Sequence, residues 1–208
     1  MSALDRIDKY RFDNLHNATV LGIDPGPVTH GAVLYDTVER RVVWSDKAAT
    51  SDQVGAAAMK YSPKYLPVVI ERPAAMGAIG SGVVGHMLET AWTAGGLYAA
   101  FSLRGFTSYT MTRREVLRHL GVLAGKGSPD ARVRAACIAD HETPGGRPAV
   151  GRKASQGPLY GVSSHAWQAL GLVLAWKASG GQTQNEQMIL KRLTYNYAEK
   201  YGKFIKNA

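Results

Sequence analysis

Two apolar runs of this chain each end in an acid and then turn at proline. Thr19-Val20-Leu21-Gly22-Ile23 leads into Asp24-Pro25-Gly26, and Leu66-Pro67-Val68-Val69-Ile70 leads into Glu71-Arg72-Pro73. A strand-forming run that delivers a carboxylate at its C-terminal edge is unusual, because a half-buried carboxylate needs a partner or a metal. If the two strands lie side by side, Asp24 and Glu71 meet. Hard divalent cations such as Mg²⁺ take oxygen ligands, commonly one or two carboxylates plus substrate phosphate. Such a pair could serve metal-assisted phosphodiester chemistry. Plainer roles exist for both residues. Asp-Pro-Gly is ordinary turn chemistry, and Glu71 could sit in a structural ion pair with Arg72 or another basic residue.

His165 opens a stretch that is otherwise apolar, from Ala166 and Trp167 to Trp176. Alone, a histidine there is an ordinary capping or core residue. Beside two carboxylates it becomes a candidate third ligand or proton-transfer group. Gln168 lies three residues on and shares its helical face; it offers a neutral oxygen, a poor substitute for a carboxylate. Asp130 precedes Ala131-Arg132-Val133-Arg134 and reads as a helix N-cap, with a catalytic role as the alternative. Arg72, Arg113, Arg114, Arg118, Lys126, Arg132 and Arg134 are candidates for a phosphate-facing surface, against the alternative of solvated helix faces. The stretch 141–158 is rich in glycine and proline and carries Arg147, Arg152 and Lys153. It suits either a disordered connection or a segment that settles on DNA.

The charge balance agrees with a polyanionic partner. Lys plus Arg total 25 against 16 Asp plus Glu, giving +9 over 208 residues and a pI near 9.7. Nucleic acid is the first candidate for such a chain and an anionic membrane surface the second. One cysteine, Cys137, excludes an intrachain disulfide and reads as a small core residue. No apolar stretch approaches the roughly 18 residues that span a membrane, and the polar start has no signal-peptide core. The expectation is a cytoplasmic protein with no membrane association.

The elements that must position these groups follow from the apolar pattern. Strands are expected at 19–24, 31–36 and 41–44, joined by short connections as an antiparallel meander. A helix over 51–60 has Ser51 available as its cap, and 67–70 is a strand covered on both faces. A long helix over 82–103 carries Gly85, Ala91, Ala94, Gly95 and Gly96, small enough to admit another backbone. A short strand over 107–111 leads to a helix over 113–119 capped by Thr112. Helices over 131–140 and 165–177 follow, the last capped by Ser163 or Ser164. The order fits the ribonuclease H-like fold, a mixed five-stranded α/β sheet flanked by helices, with the first strand central and the fourth beside it. The expected organisation is an extension over 1–17, one domain over 18–180 and a basic tail over 181–208. No repeat, P-loop, Rossmann glycine pattern, Cys-x-x-Cys pair or Gly-x-Ser-x-Gly elbow is present.

Several stretches in this order carry a resemblance: Gly-Ile-Asp-Pro-Gly at 22–26, Val-Ile-Glu-Arg-Pro at 69–73 and Glu89-Thr90-Ala91-Trp92. Arg114-Glu115-Val116-Leu117-Arg118-His119-Leu120 and Asp130-Ala131-Arg132-Val133-Arg134 come next, and the run from Gly157 to Leu170 closes the set. Over about 18–178 the chain resembles the RuvC-like Holliday junction resolvases, more closely those encoded by bacteriophages. The resemblance implies a homodimer that binds four-way DNA junctions and cuts two strands symmetrically with Mg²⁺, Mn²⁺ substituting, in a bacterial host's cytoplasm. It implies metal ligation by Asp24, which would bridge two ions, by Glu71, and by His165, at a position where some members carry Asp. The next ligand position is Asp in the bacterial enzymes and Gln168 here. That departure leaves Asp130 or another acid to complete the site, or weakens metal binding, or disables catalysis.

Three other functions fit parts of the same pattern. A junction-binding protein without cleavage follows if Gln168 leaves the site one ligand short. A ribonuclease H-like nuclease for another nucleic acid would share the fold. A sugar-kinase or actin-like ATPase fragment would share the strand-Asp-x-Gly turn but needs a second glycine-rich phosphate loop that the chain lacks.

Overall fold

A computed structural model of the chain describes residues 18–61, 63–73, 81–142, 146 and 148–181. The expected extension over 1–17, the stretch 74–80, Arg147 and the tail beyond 181 lie outside the described residues.

Three strands open the fold: β1 (Thr19–Asp24), β2 (His30–Asp36) and β3 (Arg41–Ala49). They pair antiparallel as a meander. Helix α1 (Ser51–Ala58) leads to β4 (Val68–Arg72), and α2 (Ser81–Leu103) leads to β5 (Ser108–Thr112). Then come α3 (Arg113–His119), α4 (Pro129–His141), the short β6 (Gly151–Arg152) and β7 (Ser155–Gln156), and α5 (Ala166–Ala178). The main sheet runs β3-β2-β1-β4-β5, with β4 parallel to both β1 and β5. This is the mixed five-stranded sheet expected, with β1 at its centre.

The continuous apolar runs of β1 and β4 reflect a sheet covered on both faces. Alternation along each strand sends Leu21, Ile23, Val68 and Ile70 to one face, where they pack with Val54, Leu97 and Phe101 of α1 and α2. Val20 and Val69 face the other way, into a core with Val116, Val133, Leu170 and Val173 of α3, α4 and α5. Cys137 is buried in that second core, where burial pushes its thiol up to about 12. Among the described residues no helix is long and apolar enough to cross a membrane.

Three cap expectations are corrected. Thr50, not Ser51, caps α1 through a capping box with Gln53, and the Ser51 hydroxyl bonds His30 Nε2 at 2.9 Å instead. Ser128 caps α4 by accepting from the Ala131 N–H at 3.2 Å, with Pro129 in the first turn; Asp130 is thereby released from capping. Neither Ser163 nor Ser164 caps α5. Its N-cap is His165, which makes no side-chain cap bond, and Ser164 is left-handed with φ 46°. Two further corrections concern extent. β3 continues five residues past Trp44 to Ala49. The 141–158 stretch contains the β6–β7 hairpin, tied to β3 where the Val42 N–H donates to Pro158 O at 2.8 Å.

Candidate functional site

Register brings the two acids together. Ile23 pairs with Ile70 across the parallel β1–β4 ladder, so Asp24 and Glu71 are the next residues on adjacent strands. Alternation turns both toward the α5 side of the sheet, the face of Val20 and Val69. Arg72 falls on the opposite face and is exposed; the alternative of an ion pair between Glu71 and a basic residue is met by Arg113, 3.1 Å away, and not by Arg72.

Helix α5 can reach these strand ends because two glycines leave room. A Cβ on Gly22 would collide with the Ala169 carbonyl oxygen, and one on Gly31 with the His165 backbone. The helix start therefore lies directly on β1 and β2. His165 Nδ1 comes to 3.5 Å from Asp24 Oδ2, with the imidazole largely exposed. Gln168, one turn on, is buried.

Arg113 occupies the middle of the cluster. The Thr112 hydroxyl accepts from the Glu115 N–H at 3.2 Å, and Glu115 Oε2 accepts from the Thr112 N–H at 2.7 Å. This capping box stops β5 and fixes Arg113 as the first residue of α3. Its guanidinium stands 3.1 Å from Glu71 Oε1, 3.9 Å from Asp24 Oδ1 and 3.7 Å from Asp130 Oδ1. Its Nη1 also donates to Gln168 Oε1, and Gln168 Nε2 donates to the Asp130 carbonyl at 3.5 Å. Five elements thus meet at one side chain: β1, β4, α3, α4 and α5.

Burial dominates the electrostatics. Asp24 is raised above the ordinary carboxylate range by desolvation, against the lowering influence of Arg113 and His165. Glu71 is raised to about 8, again by burial first, with Arg113 pulling down and Asp24 and Asp130 pushing up. Glu71 Oε2 is buried without a hydrogen-bond partner. Such an oxygen calls for a proton or a cation. The rim is different, since Asp130 and His165 are exposed; the site is an acidic floor open on one side.

Among the described residues no three Asp, Glu, His or Cys groups lie close enough together to hold a metal ion. The acids are spread around the guanidinium instead. The donor set nevertheless suits a hard divalent ion: oxygens from neighbouring strands, one of them an orphan. Three carboxylates against one guanidinium leave two negative charges when all are ionised, which one divalent ion would balance.

The other basic candidates divide. Arg114, Arg118, Lys126, Arg152 and Lys153 are exposed. Arg132 spends its Nη1 on the carbonyls of Val122 and Leu123 at 2.8 and 2.7 Å, and Arg134 lies over the Trp167 ring. The central place of Arg113 is what sequence reasoning missed. The signal available was its position, immediately after the strand beside β4.

No protein-family model matches the chain, and no curated protein is similar to it in sequence. Among solved structures, Thermus thermophilus RuvC in complex with Holliday junction substrate superposes with a TM-score of 0.50 at 17% identity, covering 80% of this chain and 98% of that one. The fold is ribonuclease H-like. A second structure of Thermus thermophilus RuvC gives a TM-score of 0.43 at 18% identity, over 79% and 98% of the two chains. At 17% identity the first of these likenesses speaks for the ribonuclease H-like architecture alone.

Proposed function

We propose that the chain is a RuvC-like endonuclease that resolves four-way DNA junctions by metal-dependent phosphodiester hydrolysis. The observation that carries this reading is the meeting of Asp24 and Glu71 on the adjacent ends of β1 and β4, with His165 3.5 Å from Asp24. The superposed RuvC is bound to a Holliday junction, and the +9 charge suits a polyanionic partner.

In this reading Asp24 and Glu71 hold Mg²⁺, or Mn²⁺ in its place, with His165 and Asp130 at the open rim. The ion would supply activation of water and stabilisation of the leaving oxygen. Asp24 orients the imidazole through Nδ1, which leaves Nε2 of His165 to hold or pass on a proton at an exposed position. Gln168 steadies the Arg113 fork while no ion is bound. Exposed Arg72, Arg114, Arg118, Lys126, Arg152 and Lys153 would take phosphates, with the protein acting in a bacterial host's cytoplasm.

Paired cutting calls for two sites, and α2 offers the surface for a homodimer. Its inner face is Ala94, Leu97 and Phe101, while Val84, Leu88, Trp92 and Leu103 are exposed at helical spacing, Trp92 by 85%. A Cβ added to Gly85, Gly95 or Gly96 meets nothing within 4 Å, so these small residues are not used for packing within the described subunit.

Binding and cleavage of four-way junctions, duplexes and RNA–DNA hybrids at one fixed salt concentration test the assignment. Junction selectivity supports it, and preference for hybrid or equal cutting of duplex overturns it. One observation favours a second reading, a junction binder without cleavage: Gln168 offers only an amide oxygen, and Arg113 already takes it. A metal titration with a nicking readout separates the two.

A further inference from the structure

The guanidinium of Arg113 touches every acid of the cluster. It faces Asp24, Glu71 and Asp130 together and bonds the Gln168 amide oxygen. A cation that took Glu71 with either other carboxylate would enter the space this group fills. Two cations a few ångströms apart repel in a half-buried site, so the guanidinium and a metal ion compete for these carboxylates. The guanidinium side chain is 29% exposed, and its neighbours Asp130 and His165 are the most exposed of the cluster at 64% and 69%. A path outward is therefore open. The orphan Oε2 of Glu71 shows that Arg113 leaves the acids incompletely satisfied.

We propose that Arg113 is a built-in counter-ion that competes with divalent metal for Asp24, Glu71 and Asp130, so that loading the site requires its guanidinium to swing out. This inference rests on the metal-dependent reading above. Arg113 is thus a positioning residue: it keeps the carboxylates gathered when no ion is bound and sets the metal concentration at which they load.

The test is Mn²⁺ binding, followed by the electron-spin signal of free Mn²⁺ at fixed ionic strength, on the full chain. Arg113→Gln should bind Mn²⁺ about tenfold more tightly than the native chain, the scale of one lost competing ion pair in a half-buried site. Arg113→Lys, which keeps the charge but loses the fork, should fall between. Arg40→Gln removes a positive charge from an exposed pair with Asp140 and should leave the affinity unchanged. A second measurement needs no variant and stands even if Arg113→Gln fails to fold. The Arg113 Nε–H resonance of the native chain should shift on Mg²⁺ addition with the midpoint of metal binding. Equal or weaker Mn²⁺ binding by folded Arg113→Gln, or an Nε–H signal unmoved at saturating Mg²⁺, overturns the proposal while leaving the metal site standing. Absence of Mn²⁺ binding by the native chain and by every variant overturns the metal reading itself.

Discussion

Ile23 and Ile70 are register partners in the parallel β1–β4 ladder, and that single pairing sets Asp24 beside Glu71. Every expected property of the site depends on the carboxylates being neighbours on rigid strands rather than on loops.

Removing either carboxylate should therefore stop the chemistry without unfolding the sheet. Asp24→Asn and Glu71→Gln should each lower the junction cleavage rate by about a thousandfold or more, the several kcal/mol that metal catalysis supplies. Junction binding, measured by gel shift at fixed salt, should be unchanged or stronger because a negative charge near phosphate is gone.

The raised carboxyl of Glu71 gives metal-free stability a defined sign. Its proton is held up to about 8 in the folded chain, against an ordinary value of 4.5, so the folded state binds the extra proton between those values. That contribution is complete below the ordinary value and is lost as pH rises through about 8. Asp24 is raised as well and acts in the same direction. Melting temperatures of the metal-free chain should fall across this range, and Glu71→Gln should flatten the fall. Mg²⁺ should restore stability most at the alkaline end, where no proton has to be displaced. A native profile that rises with pH over the same range would contradict the assignment.

Close packing of α5 on β1 makes Gly22 a sensitive position. Gly22→Ala drives a methyl into Ala169 O and should cost about 1–3 kcal/mol in urea unfolding. Cleavage should fall further than stability alone explains, because His165 and Gln168 ride on the displaced helix.

The exposed stripe of α2 bears on assembly. Trp92→Ala combined with Leu88→Glu should convert a dimer to monomer in light scattering and turn paired nicks into independent single ones. A native chain that is already monomeric at micromolar concentration, yet cuts in pairs, would remove α2 as the interface.

Much of this arrangement was legible in the sequence, for identifiable reasons. Val68-Val69-Ile70 is continuous and β-branched because β4 is covered on both faces, and the acid that ends it stood out against that run. The meander read correctly because its connections are short. The caps read less well: Ser51, Asp130 and Ser163 or Ser164 are all good capping types, but the choice among adjacent candidates depends on where each chain enters its helix. Ser51 instead bonds His30, and Asp130 turns toward Arg113. That arginine was legible only as one of several basic residues, because its partners lie 17 to 89 positions away in sequence and are gathered by register and helix packing.

The most direct measurement is cleavage of a labelled synthetic four-way junction with Mg²⁺ or Mn²⁺, beside a matched duplex, an EDTA control and the Asp24→Asn chain. Paired, metal-dependent nicks on the junction, absent with EDTA and absent in Asp24→Asn, are the expected result. Cleavage retained by Asp24→Asn, or nicking that persists in EDTA, would contradict an active site built on Asp24 and Glu71.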